Sequence, residues 1–224
     1  MLLMIMVILA GMTGWLFYKN QVIWGSFCVI LLLVGQGLIL ADATQHYGTR
    51  VVKTTTVSRL RPVGSIHGNQ ILLTKAIKEG KTTYTAYVAK QINDKSVVIL
   101  NKHKRVNVNF NANRQAVRST QNQQYRYMTM GMHWFFSGIT NQNQLKRQTV
   151  TFKLTSHWHV MRQIAIKRVE RKLQRKAVQR QLQVQVAHEV MTQLKRHPQW
   201  ASRKRQLQAQ YLRDAVGRIL DQEK

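Results

Sequence analysis

Lys19 is the one formally charged side chain between Met1 and Ala41, and this absence of charge constrains the chain more than any other feature. Two apolar runs, Leu2–Tyr18 and Val22–Ala41, flank the tripeptide Lys19-Asn20-Gln21. An α-helix rises about 1.5 Å per residue, so a hydrocarbon layer about 30 Å thick asks for roughly 20 apolar residues, with about 17 as the lower limit. Both runs meet that length. The expected structure over residues 1–42 is a two-helix transmembrane hairpin in the cell membrane.

Trp15, Tyr18 and Trp24 bracket the short connection, where amphipathic rings would anchor a hairpin tip at the headgroup level. Lysines and arginines close to span ends set orientation. The tip offers Lys19, and the far side offers Arg50, Lys53, Arg59 and Arg61, which favours a cytoplasmic soluble portion. The small residues Gly11, Gly14, Gly25, Ser26, Gly35 and Gly37 are expected at an inner seam or a dimer face, since they let helix backbones approach closely. Gln36 is the strongly polar side chain deepest in a span, and it is expected to bond a neighbouring helix. An ion or proton pathway normally needs acidic, basic or imidazole groups inside the spans, and neither run contains one. Ala41-Asp42-Ala43 has the small-x-small form of a signal-peptidase site. The second run is longer than the roughly 7–15 residues of a usual signal core, and another apolar run precedes it, so cleavage is not the preferred reading.

The remainder has the opposite chemistry. The chain carries 35 Lys and Arg against 8 Asp and Glu, a formal net charge of +27, and Glu79 and Asp94 are the sole acids between Asp42 and Glu170. Such an imbalance resists self-association and favours anionic surfaces such as lipid headgroups, nucleic acid or anionic polymers. The lone Cys28 excludes an intramolecular disulfide and a cysteine-based zinc site.

From residue 43 to 155 the periodicity is close to two. Arg50–Val57, Gln70–Thr74, Thr83–Val88, Ser96–Leu100, Arg105–Phe110, Tyr125–Met130 and Gln148–Leu154 read as short strands, with Lys78-Glu79-Gly80-Lys81 as a hairpin turn. The expected fold is a small antiparallel all-β domain, a barrel or a sandwich. Its expected inward set is Leu72, Tyr84, Ala86, Val88, Val98, Leu100, Val106, Val108, Phe110, Val150, Phe152 and Leu154. Met128, Met130, Met132, Trp134, Phe135 and Phe136 read as a buried strand and turn that fills the core, with an exposed docking surface or a segment dipping into the interface as the functional alternative. Asn111-Ala112-Asn113, Ser119–Gln124 and Thr140–Gln144 read as polar loops.

Residues 156–224 form the third segment, a basic αα arm. Helical periodicity begins near Val160, and Ile166, Val169, Leu173, Ala177, Val184, Ala187, Met191 and Leu194 make a narrow seam. Arg162, Lys167, Arg168, Arg171, Lys172, Arg175, Lys176 and Arg180 occupy the other faces and are the candidate residues for binding an anionic surface. His197-Pro198 ends this helix, and a second carries Trp200, Leu207, Tyr211, Val216, Ile219 and Leu220. Such a basic helix with an apolar stripe suits an anionic lipid surface, nucleic acid, or a partner packed on the seam.

Motifs for chemistry are sparse. There is no Walker loop, G-x-S-x-G, H-E-x-x-H or dinucleotide fingerprint, and no cofactor is implied. His157-x-His159 is half a metal site, with no carboxylate or cysteine nearby in sequence to complete it. Gly64-Ser65-Ile66-His67-Gly68 reads as a turn, with a small anion-binding nest as its functional alternative.

An apolar hairpin over Leu2–Ala41, a basic β-rich middle and a basic helical tail together resemble an uncharacterised family of short, basic, two-span membrane proteins of lactobacilli and relatives, a domain of unknown function. The resemblance covers the whole chain in layout and implies neither an activity nor site residues. The expectation is therefore a membrane-anchored, non-enzymatic interaction or structural protein. Its partners would be membrane lipid, an anionic polymer or protein, or another copy of itself, with nucleic acid ranked last. The alternatives are a membrane-tethered enzyme on an anionic envelope substrate, using His133, His157 or His159 for proton transfer, and a membrane-linked nucleic-acid binder.

Overall fold

The computed structural model describes residues 1–90, 95–112, 114–137 and 143–223. Two helices lead the chain, α1 (Leu2–Tyr18) and α2 (Val22–Gln45). Among the described residues nine strands follow: β1 (Thr49–Arg59), β2 (Gly64–Ile66), β3 (Asn69–Glu79), β4 (Thr82–Lys90), β5 (Ser96–Leu100), β6 (Lys104–Asn109), β7 (Val117–Tyr127), β8 (Leu145–Lys153) and β9 (Trp158–Arg162). A short helix α3 (Met130–Phe135) lies between β7 and β8. The chain then forms α4 (Gln163–Leu173), α5 (Lys176–Arg196), a 3₁₀ turn (Pro198–Arg203) and α6 (Lys204–Gln222). Two apolar helices, an antiparallel-rich sheet region and C-terminal helices are thus the architecture. Neither of its two sheets closes into a barrel.

The chain divides into two compact units. One comprises Met1–Thr55 with Gln121–Gln148, the other Thr56–Thr120 with Thr149–Lys224. In the first, α1 and α2 pair antiparallel. The Phe17 ring lies over Gly25, where a methyl group would crowd it at 3.0 Å, and Met6 lies over Gly35 at ordinary contact distance. Gly25, Cys28, Gly35 and Asp42 are the buried positions of α2, at steps of three and seven, which is the seam of two closely packed helices. Of the expected small-residue seam, Gly25 and Gly35 take part. Gly11, Gly14 and Gly37 face open space, and Gln36 is exposed rather than bonded to a neighbouring helix. The outer surfaces stay apolar and uncovered, with Ile23, Phe27, Ile30, Leu33 and Val34 all more than half exposed.

In the second unit, β2-β3-β4-β5 form a sheet in that order, and β9 adds to β3 in parallel. β9 is a correction: Trp158–Arg162 is a strand where the helix was expected to begin. Its pairing places Gln70 beside Trp158 and Leu72 beside Val160. Side chains alternate across a strand, so β3 and β9 have two covered faces. Leu72 and Trp158 enter a core shared with Val150, Phe152 and Leu154 near β8. Ile71 and Met161 point the other way, into a core built with α4, α5 and α6.

Other expectations change here. Ser119–Gln124 is strand, part of β7, not a loop. Val98 is 60% exposed and Ile99 is buried, so β5 turns the opposite face inward. Phe110 follows the end of β6 and is half exposed. Met128–Phe136 is not a buried strand. Thr129 caps α3 by accepting from the Met132 amide at 3.2 Å, Phe136 is buried, and Met128, Met130 and Trp134 are exposed. Gly138, Thr140–Gln142, Asn113 and Asp94 lie outside the described residues.

Candidate anion-binding site

The second unit holds an open pocket of about 570 Å³ lined by Arg59, Arg61, Arg114 and Arg213, with Gln70, Gln115, Thr155, Ser156, His157 and Gly68 among its walls. Buried Leu60, Ala116 and Trp158 form its apolar back. Four guanidiniums and no carboxylate line it among the described residues.

The scaffold around these side chains is fixed by backbone bonds. The Leu60 amide donates to the Ala116 carbonyl at 3.0 Å, the Gln70 amide to the His157 carbonyl at 2.8 Å, and the Ala112 amide to the Leu154 carbonyl at 3.0 Å. Arg61 and Lys90 exchange two backbone bonds at 2.9 and 3.1 Å. Loop residues are therefore held at defined positions while their polar side chains face outward, which is how rigid frames present binding groups.

Arg213 comes from α6 and reaches the pocket through a polar lock. Asn69 Nδ2 donates to the Arg213 carbonyl at 2.8 Å. That fixes the orientation of the Asn69 amide, so its Oδ1 faces His159 Nε2 at 3.2 Å as an acceptor. The other ring nitrogen, Nδ1, lies 3.0 Å from Asp221 Oδ1. Both ring nitrogens thus face oxygen atoms, and His159 bridges Asn69 on β3 to Asp221 on α6. The lock ties α6 to β3 and β9. Gly68 completes the placement. His67 and Gly68 have φ of 47° and 83° and form the two-residue turn between β2 and β3, and the aliphatic stem of Arg213 passes where a Gly68 Cβ would stand, 3.2 Å away. Arg213 Nε is buried without a hydrogen-bond partner and lies 3.9 Å from Asp214 Oδ1. His157 and His159 do not converge on one point: His157 lines the pocket and His159 is part of the lock.

The candidate basic residues cluster on α4 and at the start of α5. Ala165, Val169 and Leu173 are the buried stripe of α4. Lys167, Arg168 and Arg171 are exposed on its outward side together with Ile164, and Arg162 precedes it in the open. Arg175, Lys176 and Arg180 are exposed beyond the helix break. Lys172 is half-buried and donates to Glu223 Oε1 at 3.1 Å, which ties α4 to the end of α6. Trp15, Tyr18 and Trp24, the expected interfacial anchors, are all exposed around the connection between α1 and α2.

A second polar constellation, unforeseen in the sequence, occupies the first unit. Asp42, fully buried in the last turn of α2, accepts a hydrogen bond from the Tyr127 hydroxyl at 2.8 Å. Burial, and then the hydrogen bond to Asp42 and its charge, hold the Tyr127 phenol well above its ordinary pKa. His46 stacks on Tyr125 at 3.7 Å, and the Nδ1 atoms of His46 and His133 are buried without a hydrogen-bond partner. No cluster of three or more metal-ligating side chains exists among the described residues.

An exposed apolar helix pair together with a basic sheet-and-helix unit that carries an arginine-lined pocket defines a basic domain of mixed α and β structure. The chain belongs to the family described as Domain of unknown function (DUF4811), whose profile matches residues 18–169, more than half of the chain. The match takes in α2, all nine strands, the first part of α4 and every described residue lining the pocket except Arg213. No curated protein and no solved structure matches the chain.

Proposed function

We propose that this is a membrane-anchored, non-enzymatic interaction protein whose basic soluble part engages an anionic surface or a protein partner. α2 is the one described helix long and apolar enough by length and composition to cross a membrane, and α1, at 17 residues, sits at the lower limit for a span. Their outward side chains are large, apolar and uncovered, a surface that water does not tolerate and a bilayer does. The pair then forms a two-span hairpin with Trp15, Tyr18 and Trp24 at one interface, and the positive charge that follows it favours the cytoplasmic side for the basic part.

The observation that carries the binding reading is the division of α4. Its apolar stripe is consumed by the core, and Ile164 is the one large apolar side chain left exposed among the basic residues of its outward side. Contact through Lys167, Arg168, Arg171, Arg175 and Lys176 is therefore electrostatic, and it weakens as salt rises. The test is capture of the full chain, reconstituted in zwitterionic nanodiscs, by anionic-lipid vesicles over a range of salt. We expect capture that falls with salt and is at least tenfold weaker in R168Q/R171Q/R175Q/K176Q. Capture indifferent to both salt and these substitutions would refute the reading. His157 in the arginine pocket favours one alternative, an enzyme acting on an anionic envelope substrate. There His157→Ala would abolish turnover while fold, insertion and binding persist.

A further inference from the structure

We infer that the arginine pocket of the second unit is a binding site for a small organic molecule carrying a diphosphate or longer polyphosphate group. This stands apart from the α4 surface and holds whichever side of a membrane the unit occupies. The first ground is charge. Arg59, Arg61, Arg114 and Arg213 line one pocket without a lining carboxylate among the described residues. Asp214 Oδ1 lies 3.9 Å from Arg213 Nε, but Arg59 and Arg114 stand exposed at the opening, and two guanidiniums in one concavity favour a ligand with closely spaced negative charges over a monocarboxylate. The planar fork of arginine also matches phosphate oxygens in pairs.

The second ground is size and lining. A pocket of about 570 Å³ falls within the roughly 300–1,000 Å³ of small-molecule sites and far exceeds a single phosphate. Leu60, Ala116 and Trp158 behind the arginines give an organic portion an apolar surface.

The third ground is construction. An exposed arginine on a surface needs no scaffold, whereas Arg213 is placed by the Asn69–His159–Asp221 lock and by a glycine that leaves room for its stem.

Isothermal titration of the full chain in detergent at low salt tests this, with ADP, geranyl diphosphate and inorganic pyrophosphate as separate probes at up to about 1 mM, a range that resolves binding stronger than roughly −4 kcal/mol. We expect saturable one-to-one binding of at least one organic diphosphate. Preference for ADP marks a nucleotide source and preference for geranyl diphosphate a lipid-linked one. R59Q/R114Q should weaken it at least tenfold, and R213K, which keeps the charge but loses the fork, should weaken it as well. The unliganded R59Q/R114Q protein should melt as the parent does, because both side chains are exposed. No saturable binding of either organic probe would overturn the inference. So would binding that survives R59Q/R114Q and R213K but is lost in R168Q/R171Q/R175Q/K176Q, and so would binding of pyrophosphate alone.

Discussion

Asp42 is the residue whose place is hardest to anticipate. It sits without solvent exposure in the last turn of α2, where unpaired helix carbonyls make a negative charge least welcome. A carboxylate there requires donors, and Tyr127, 85 residues away in sequence, supplies one. In sequence Asp42 reads only as the centre of a small-x-small tripeptide, since nothing local records a partner so distant. Tyr127 is the side that can be measured. Its phenol is held above the ordinary value of 10.0, so in the folded state it stays protonated where the unfolded chain would ionise. The sign follows: its contribution to stability is fully present below pH 10.0 and is lost as pH rises through the folded pKa. In an ultraviolet alkaline titration of the folded protein, one of the seven tyrosines should ionise after the others, and Tyr127→Phe should remove that late step. A Tyr127→Phe titration still showing the late step would assign it elsewhere. The lock at His159 is similarly silent in sequence, where the His157-x-His159 spacing points to a half metal site. Strand alternation would place the two rings on one face, but β9 begins only at Trp158, and His157 lies before it.

At the scale of elements, the C-terminal helices show where periodicity carries and where it fails. Ala165, Val169 and Leu173 follow the helical step, so the inward face of α4 is legible from spacing. Past Leu173 the chain leaves the helix at Gln174 and Arg175 and resumes at Lys176, which resets the phase. A seam extended through that break selects Val184, Ala187 and Met191, but Leu182 and Val190 are buried, while Val184 is 70% exposed. The two readings predict opposite mutants. Leu182→Ala should destabilise by about 2–5 kcal/mol and Val184→Ala by no more than about 0.5 kcal/mol, judged by denaturant unfolding of the full chain. The reverse order would restore the continuous seam. β5 fails for a related reason: Ser-Val-Val-Ile-Leu is apolar at four consecutive positions, so alternation has nothing to select. Ser119–Gln124 lacks β-branched and aromatic residues apart from Thr120, yet β7 runs through it because both its neighbours in the sheet, β1 and β8, supply bonding partners. The strand turns that glycine marks, at Gly68 and Gly80, were legible, because glycine takes the positive φ those positions have at no steric cost.

For the molecule as a whole, the contrast between an uncharged leading segment and a basic remainder is the most legible property of the chain, since it depends on composition and not on contacts. Its arginine pocket was not legible. Arg59 and Arg61, Arg114, and Arg213 come from three separate places in the sequence, and the parallel addition of β9 to β3 and the seating of α6 bring them to one opening. The central claim is that α1 and α2 hold this protein in a bilayer. Alkaline carbonate extraction of membranes carrying the full chain tests it most directly, because carbonate strips proteins held by charge and leaves those that span. The account predicts that the protein remains in the membrane pellet and is released only by detergent. Its appearance in the carbonate supernatant would contradict the hairpin and leave the +27 charge as the sole tie to the membrane.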